Sequence, residues 1–256
     1  MKIFPIMFTA SCLFLTSCST EEQVNSAGNP KASASSNQVQ AEQTANNTDA
    51  SPDDYNRSVL TDIRKELKLK GTMLPQSLPV QSGNYLGAHI EENTEEGYSL
   101  HFYESVSEES NQAGEPLAEF TAAVMDKNED KSLFPAFNEK DIPENMSVDL
   151  GYGIKGVLEG AAGSTYLQWK EGSWLLQIKA VSADNRDLKA DGKRIVEYLE
   201  EHKLPVPHDN GRVEVSYPVE ENNAEIEIIW EDESILYTLS TTGEPVDALK
   251  MAVSVE

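Results

Sequence analysis

In this 256-residue chain, several groups of residues have types and spacings that could do chemistry. Gly151, Gly153 and Gly156 spell G-x-G-x-x-G. That pattern cradles a pyrophosphate only when a strand precedes it and a helix N-terminus follows, because backbone amides must meet the phosphate. Here a strand-like run follows instead, so the glycines read as a sharp bend or bulge. Asp126, Asn128 and Asp130 open like a calcium loop. Lys131 stands where that loop needs glycine and Phe137 where it needs a bidentate glutamate, which leaves only a weak surface site of unspecified geometry. Of the four histidines, His202 and His208 flank Leu204-Pro205-Val206-Pro207, a spacing foreign to zinc motifs, and read as facing solvent. His101 falls on the polar face of a strand, within reach of Glu104 or Glu108, and His89 carries no motif. There is no G-x-S-x-G elbow, H-E-x-x-H or Ser-x-x-Lys set. A carboxylate pair for glycoside cleavage stays open, because Asp and Glu number 44 and sequence spacing does not give separation in space. Trp169, Trp174 and Trp230 are either an aromatic platform or core. Their place on the apolar side of each alternating strand favours core, whereas Tyr166 falls on the opposite side and is the candidate exposed ligand contact. No catalytic residue, metal ligand or cofactor is assigned.

The elements that position these residues can be read from periodicity. Ser51 is a good N-cap, Pro52 suits the first helical position, and Asp53 and Asp54 favour the positive helix end. Tyr55, Val59, Ile63 and Leu67, with Leu60, form one apolar stripe that predicts a helix ending at Gly71 and packed on a sheet face. Tyr98, Leu100 and Phe102 alternate with Ser99, His101 and Tyr103, and Leu117 to Val124 is a further strand; residues 126–145 read as a loop with a helical turn near Leu133 to Phe137. In the second half, Thr165, Leu167 and Trp169 alternate up to a turn at Lys170-Glu171-Gly172-Ser173, and Trp174, Leu176 and Ile178 return. The scheme recurs 61 residues later as Ile226, Ile228 and Trp230, an acidic turn at Glu231-Asp232-Glu233-Ser234, then Ile235, Tyr237 and Leu239. A strand precedes each hairpin (Gly153 to Glu159, Arg212 to Tyr217) and a helix follows (Asp187 to Glu201, Val246 to Val253), with Leu188 and Leu249 at the same offset. The expected fold class is α+β: antiparallel sheet with packed helices and a duplicated β-β-β-α unit over 146–256, preceded by a helix-plus-strand part over 51–145. Two chance amphipathic hairpins are the competing explanation. The units could share one sheet or stack as two lobes.

At the N-terminus, Lys2 is the only charge before Cys18, and an apolar run from Ile3 to Leu15 separates them. This is a secretory signal, too short for a membrane span of roughly 20 apolar residues. It ends in Leu15-Thr16-Ser17-Cys18, which resembles the lipobox of bacterial lipoproteins. The resemblance implies cleavage after residue 17 and diacylglycerol on Cys18, hence a membrane-bound protein anchored outside the cytoplasm. An ordinary signal with an accidental cysteine is the alternative, and Cys12, preceded by Thr9-Ala10-Ser11, is a poorer acceptor. Both cysteines lie here, so the remaining chain has no disulfide and no Cys-ligated zinc. Residues 18–50, rich in Ser, Asn, Ala, Gln and Thr, read as a disordered tether. The net charge of −24 argues against nucleic acid and against direct adhesion to anionic lipid.

The run from Val148 through Gly156, the segment from Thr165 to Trp174, and Ile195-Val196-Glu197-Tyr198-Leu199 leading to Leu204-Pro205 resemble extracytoplasmic lipoproteins of Gram-positive bacilli. The resemblance spans most of 75–256 and implies a location without an activity. The leading expectation is a non-enzymatic, membrane-tethered binding or interaction module whose partner is an envelope protein or wall polymer. A wall-polymer hydrolase with a carboxylate pair and a solute-binding lipoprotein are the alternatives.

Overall fold

The computed structural model describes residues 51–108, 114–125, 133–138, 143–219 and 223–256. The signal segment, the tether with Cys18, and Asp126, Asn128, Asp130 and Lys131 lie outside the described residues. Helix α1 (Pro52–Glu66) begins where expected: the Ser51 hydroxyl accepts a hydrogen bond from the Asp54 amide at 3.3 Å. It ends a turn before Gly71. At Leu67 the backbone turns extended (ψ 134°) and the side chain is buried. Asn93 then satisfies the freed backbone, donating to the Glu66 carbonyl at 3.0 Å and accepting from the Lys68 amide at 2.8 Å.

The strands are β1 (Tyr85–Asn93), β2 (Gly97–Ser105), β3 (Ala118–Val124), β4 (Ser147–Gly151), β5 (Ile154–Ala161), β6 (Ser164–Glu171), β7 (Trp174–Val181), β8 (Gly211–Tyr217), β9 (Ala224–Asp232) and β10 (Ile235–Gly243). They form one ten-stranded sheet in the order β1-β2-β3-β10-β9-β8-β7-β6-β5-β4. All neighbours are antiparallel except β7 and β8. Parallel neighbours need a crossover, here helix α2 (Leu188–Glu201), N-capped by Asp187. Helix α3 (Pro245–Val253) follows β10. The architecture is thus α+β and sheet-rich, in one continuous sheet.

Strand alternation decides which face is core. Tyr98, Leu100 and Phe102 on β2, Phe120 on β3, Trp169 on β6, Leu176 and Ile178 on β7, Val213 and Val215 on β8, Ile228 and Trp230 on β9, and Tyr237 and Leu239 on β10 are all buried on one side. Helix α1 packs over β1 there, α2 over β4, β6 and β7, and α3 over β9 and β10. The fit is closest at two glycines. A Cβ on Gly192 would lie 2.7 Å from Leu167 Cδ2, so α2 rests directly on the sheet. One on Gly211 would lie 2.5 Å from the Trp174 ring.

Two strands were not anticipated. β1 contains Gly87 and Ala88, which blur its alternation, and β4 is only five residues long. The G-x-G-x-x-G run is the β4–β5 corner. Gly151, Tyr152 and Gly153 all have positive φ (95°, 53° and 83°), which makes the sharp bend, while Gly156 leaves space for Leu167. Both long hairpins are tighter than expected: Lys170 and Glu171 extend β6, Glu231 and Asp232 extend β9, and only Gly172-Ser173 and Glu233-Ser234 turn. Among the described residues, no helix is long and apolar enough to cross a membrane.

Candidate functional site: the helix-free face of the sheet

Helices α1, α2 and α3 lie on one face, and among the described residues no helix covers the other. Register fixes which side chains meet there. One row crosses every strand: His89, His101, Glu119, Ser240, Glu227, Glu214, Gln177, Gln168, Val157 and Ser147 are successive cross-strand partners. Adjacent members stand about 5 Å apart, one strand spacing. Nine of the ten are polar, and all are half-buried or exposed. A second row runs Ser99, Thr121, Thr238, Ile229, Arg212, Leu175 and Lys170, and a third runs Thr242, Glu225, Ser216, Lys179, Tyr166 and Glu159.

Where β3, β10, β9 and β8 lie side by side, the face carries a shallow groove of about 460 Å³. Glu119, Glu214, Glu225, Glu227, Ser216, Ser240 and Thr242 line it. Glu214 and Glu227 are direct cross-strand partners, and like charges placed so destabilise a sheet unless neutralised. Arg212, two residues before Glu214 on β8, does so. Its Nη2 donates to Glu227 Oε1 at 2.6 Å and its Nη1 lies 3.6 Å from Glu214 Oε2. Ile229 and Leu175 flank Arg212 on neighbouring strands and are buried, so its stem is packed as well as paired. Its Nε is buried without a hydrogen-bond partner. At the other wall, Glu119 Oε1 accepts from Ser99 Oγ at 3.4 Å, and Glu119 Oε2 lies 3.9 Å from His101 Nε2. His101 therefore faces Glu119, across the β2–β3 pair, rather than Glu104 or Glu108. Glu104 instead accepts from the Gln81 amide at 2.7 Å and from Asn84 Nδ2 at 2.8 Å.

The other candidates fall elsewhere. Tyr166 is on the helix-free face as expected, half-buried between Glu159 and Lys179, with Lys179 Nζ 6.0 Å from its ring centre. The tryptophans are core and form no platform. Trp230 stacks on Tyr237 with ring centres 5.1 Å apart, Trp174 Nε1 donates to the Pro205 carbonyl at 3.0 Å, and Trp169 Nε1 donates to Glu171 Oε1 at 2.9 Å. Glu171 is half-buried beside this last contact. Desolvation pushes its carboxyl up to about 7, the Trp169 bond opposes the rise, and the charge of Glu200 adds to it. His202 stacks on Tyr198 at 4.3 Å on the surface of α2, and His208 is exposed. Among the described residues, no three His, Cys, Asp or Glu side chains gather as a metal site.

Sequence reasoning did not single out Arg212, Glu119, Glu214, Glu225 or Glu227. The alternating runs Arg212-Val213-Glu214-Val215-Ser216 and Glu225-Ile226-Glu227-Ile228 place these charges on a solvent face. Their meeting depends on the β8–β9 and β3–β10 registers, which no local pattern encodes. Compared with protein-family models, curated proteins and solved structures, the chain matches none.

Proposed function

We propose that this protein is a lipid-anchored module on the outer side of a bacterial membrane and that it binds an envelope partner through the helix-free face of its sheet. The observation that carries the reading is the row crossing all ten strands, polar in nine of them, with a groove near its centre, on a face no described helix covers. A large sheet needs only one face for its core, so the second is available for recognition. The lipobox at Leu15 to Cys18 supplies the location and the acyl site. We also read β5-β6-β7-α2 and β8-β9-β10-α3 as two copies of one unit. The shared element order and the 61-residue offset support this. The test is a photo-crosslinking amino acid placed at Ser240 of the full-length protein in living cells, with Lys193 on the exposed side of α2 as control. Capture of an envelope component from Ser240 and not from Lys193 is the expected result, and equal capture from both refutes the reading. In the same cells Cys18→Ala moves the protein out of the membrane fraction if Cys18 carries the anchor.

A second reading, cleavage of a wall polymer, finds its carboxylate pair in Glu214 and Glu227, which stand opposite each other in a groove. Retaining glycosidases hold two carboxyl groups about 5 Å apart. Arg212 contacts both groups, so neither is an uncommitted acid. Release of reducing ends from purified wall, abolished by Glu214→Gln, would favour this reading over the first.

A further inference from the structure

We infer that the groove on the helix-free face docks an extended, cationic segment of a partner protein, whose Lys or Arg side chains at alternate positions enter beside Glu225 and Glu227. The inference rests on the proposed binding role of this face and adds the chemistry of the partner.

The charges on the face are sorted. From β3 to β8 the outward positions carry Glu119, Glu225, Glu227, Glu231 and Glu214 against a single cation, Arg212. From β7 to β5 they carry Lys179, Lys170 and Lys155 against Glu159. The groove lies within the negative half. Arg212 is committed to Glu214 and Glu227, while among the groove's other glutamates Glu225 has no ion pair among the described residues and Glu119 has only the 3.9 Å contact with His101. The groove therefore keeps an unneutralised negative field, and a positive partner is what that field attracts.

Spacing narrows the partner further. Glu225 and Glu227 are two residues apart on one face of β9, about 6.6 Å along the strand. Glu119 lies two strands from Glu227, with Ser240 between them, at roughly 10 Å. Carboxylates spread in this way do not converge on one small ion. They do match alternate side chains of an extended chain, which repeat at the same distance of about 6.6 Å. Ser216, Ser240 and Thr242, all short, leave the groove open between the glutamates and offer hydroxyls to a passing backbone.

The test uses the full-length chain in detergent and a fluorescein-labelled hexapeptide of alternating Lys and Ser, read by anisotropy. A hexapeptide of alternating Glu and Ser is the negative probe. A chain this acidic attracts any polycation, so the decisive comparison is between two variants of equal charge. One is Glu225→Gln with Glu227→Gln in the groove, and the other is Glu197→Gln with Glu201→Gln on the exposed side of α2. Near-ultraviolet circular dichroism checks that both are folded. The expected result is saturable binding of the Lys peptide that weakens at least fivefold in the groove variant and less than twofold in the α2 variant. Equal losses in the two variants, or no saturable binding to the folded parent, overturn the inference. Crosslinking from Ser240 separates this failure from failure of the binding face itself. A wall polymer or an acidic protein captured there leaves the face a binding surface and sinks only the cationic partner. No capture at all removes both.

Discussion

Glu171 offers the sharpest test of the packing argument. Its carboxyl sits half-buried at the end of β6, held by the Trp169 indole, and is raised from 4.5 to about 7. The native state therefore disfavours the charge more than the unfolded chain does. At low pH both states are protonated and the residue is neutral in effect. As pH climbs from 4.5 to about 7 the unfolded chain ionises first, so stability falls, and above 7 the full penalty is present. A displacement of this size corresponds to about 3 kcal/mol. Partial access to water reduces that to roughly 1–2 kcal/mol. Glu171→Gln keeps an oxygen to accept the Trp169 N–H and removes the charge. Urea unfolding followed by tryptophan fluorescence should show parent and variant alike near pH 4.5, and the variant more stable by roughly 1–2 kcal/mol at pH 8.5. A gap that does not change with pH, or a variant weaker than the parent at pH 8.5, would refute the desolvation argument.

Three other substitutions probe separate parts of the framework. Gly211→Ala drives a methyl to within 2.5 Å of the rigid Trp174 ring and should cost roughly 1–3 kcal/mol in urea unfolding. Asp191 is a buried carboxylate that binds Arg186 Nε at 2.7 Å and Arg194 Nη2 at 2.9 Å, while the Arg186 guanidinium stacks 3.3 Å over the Tyr217 ring. Asp191→Ala leaves Arg186 half of its support and should lower stability by roughly 3 kcal/mol, with the loss shrinking when Arg186→Met is added, as a double-mutant cycle would show. Ser51→Ala removes the cap of α1 and should cost about 1 kcal/mol, with faster amide exchange confined to the first turn of that helix.

What the sequence made legible was what period and capping encode locally. Strands β2, β3 and β5 to β10, both hairpins and helices α1 to α3 follow from strand alternation, from the recurring hairpin-then-helix order, and from Ser51 and Pro52 at the start of α1. Some misreadings were local, as with β1, β4 and the length of the two hairpin turns, and the others arose where a distant partner decides. α1 stops at Glu66 because Asn93, in β1, takes its last backbone groups. His101 pairs with Glu119 because β2 lies beside β3 in that register. The groove itself is assembled from β3 and β8 to β10, which come from both halves of the chain. Tyr166 was assigned to the correct face because face is a local property. Arg212 and its glutamates escaped notice because their neighbourhood is not.

The position of β10 sets a condition on how the molecule is made. It is the last strand in sequence, yet it lies between β3 and β9. Without residues 235–243, β1 to β3 and β4 to β9 would be two separate ribbons, with no strand to join them. Each ribbon then exposes a full-length bare edge, on β3 and on β9, of the kind that recruits strands from other molecules. A chain cut short at residue 232 would therefore be two incomplete sheets on one thread rather than a slightly smaller domain, and it should aggregate where the whole chain does not.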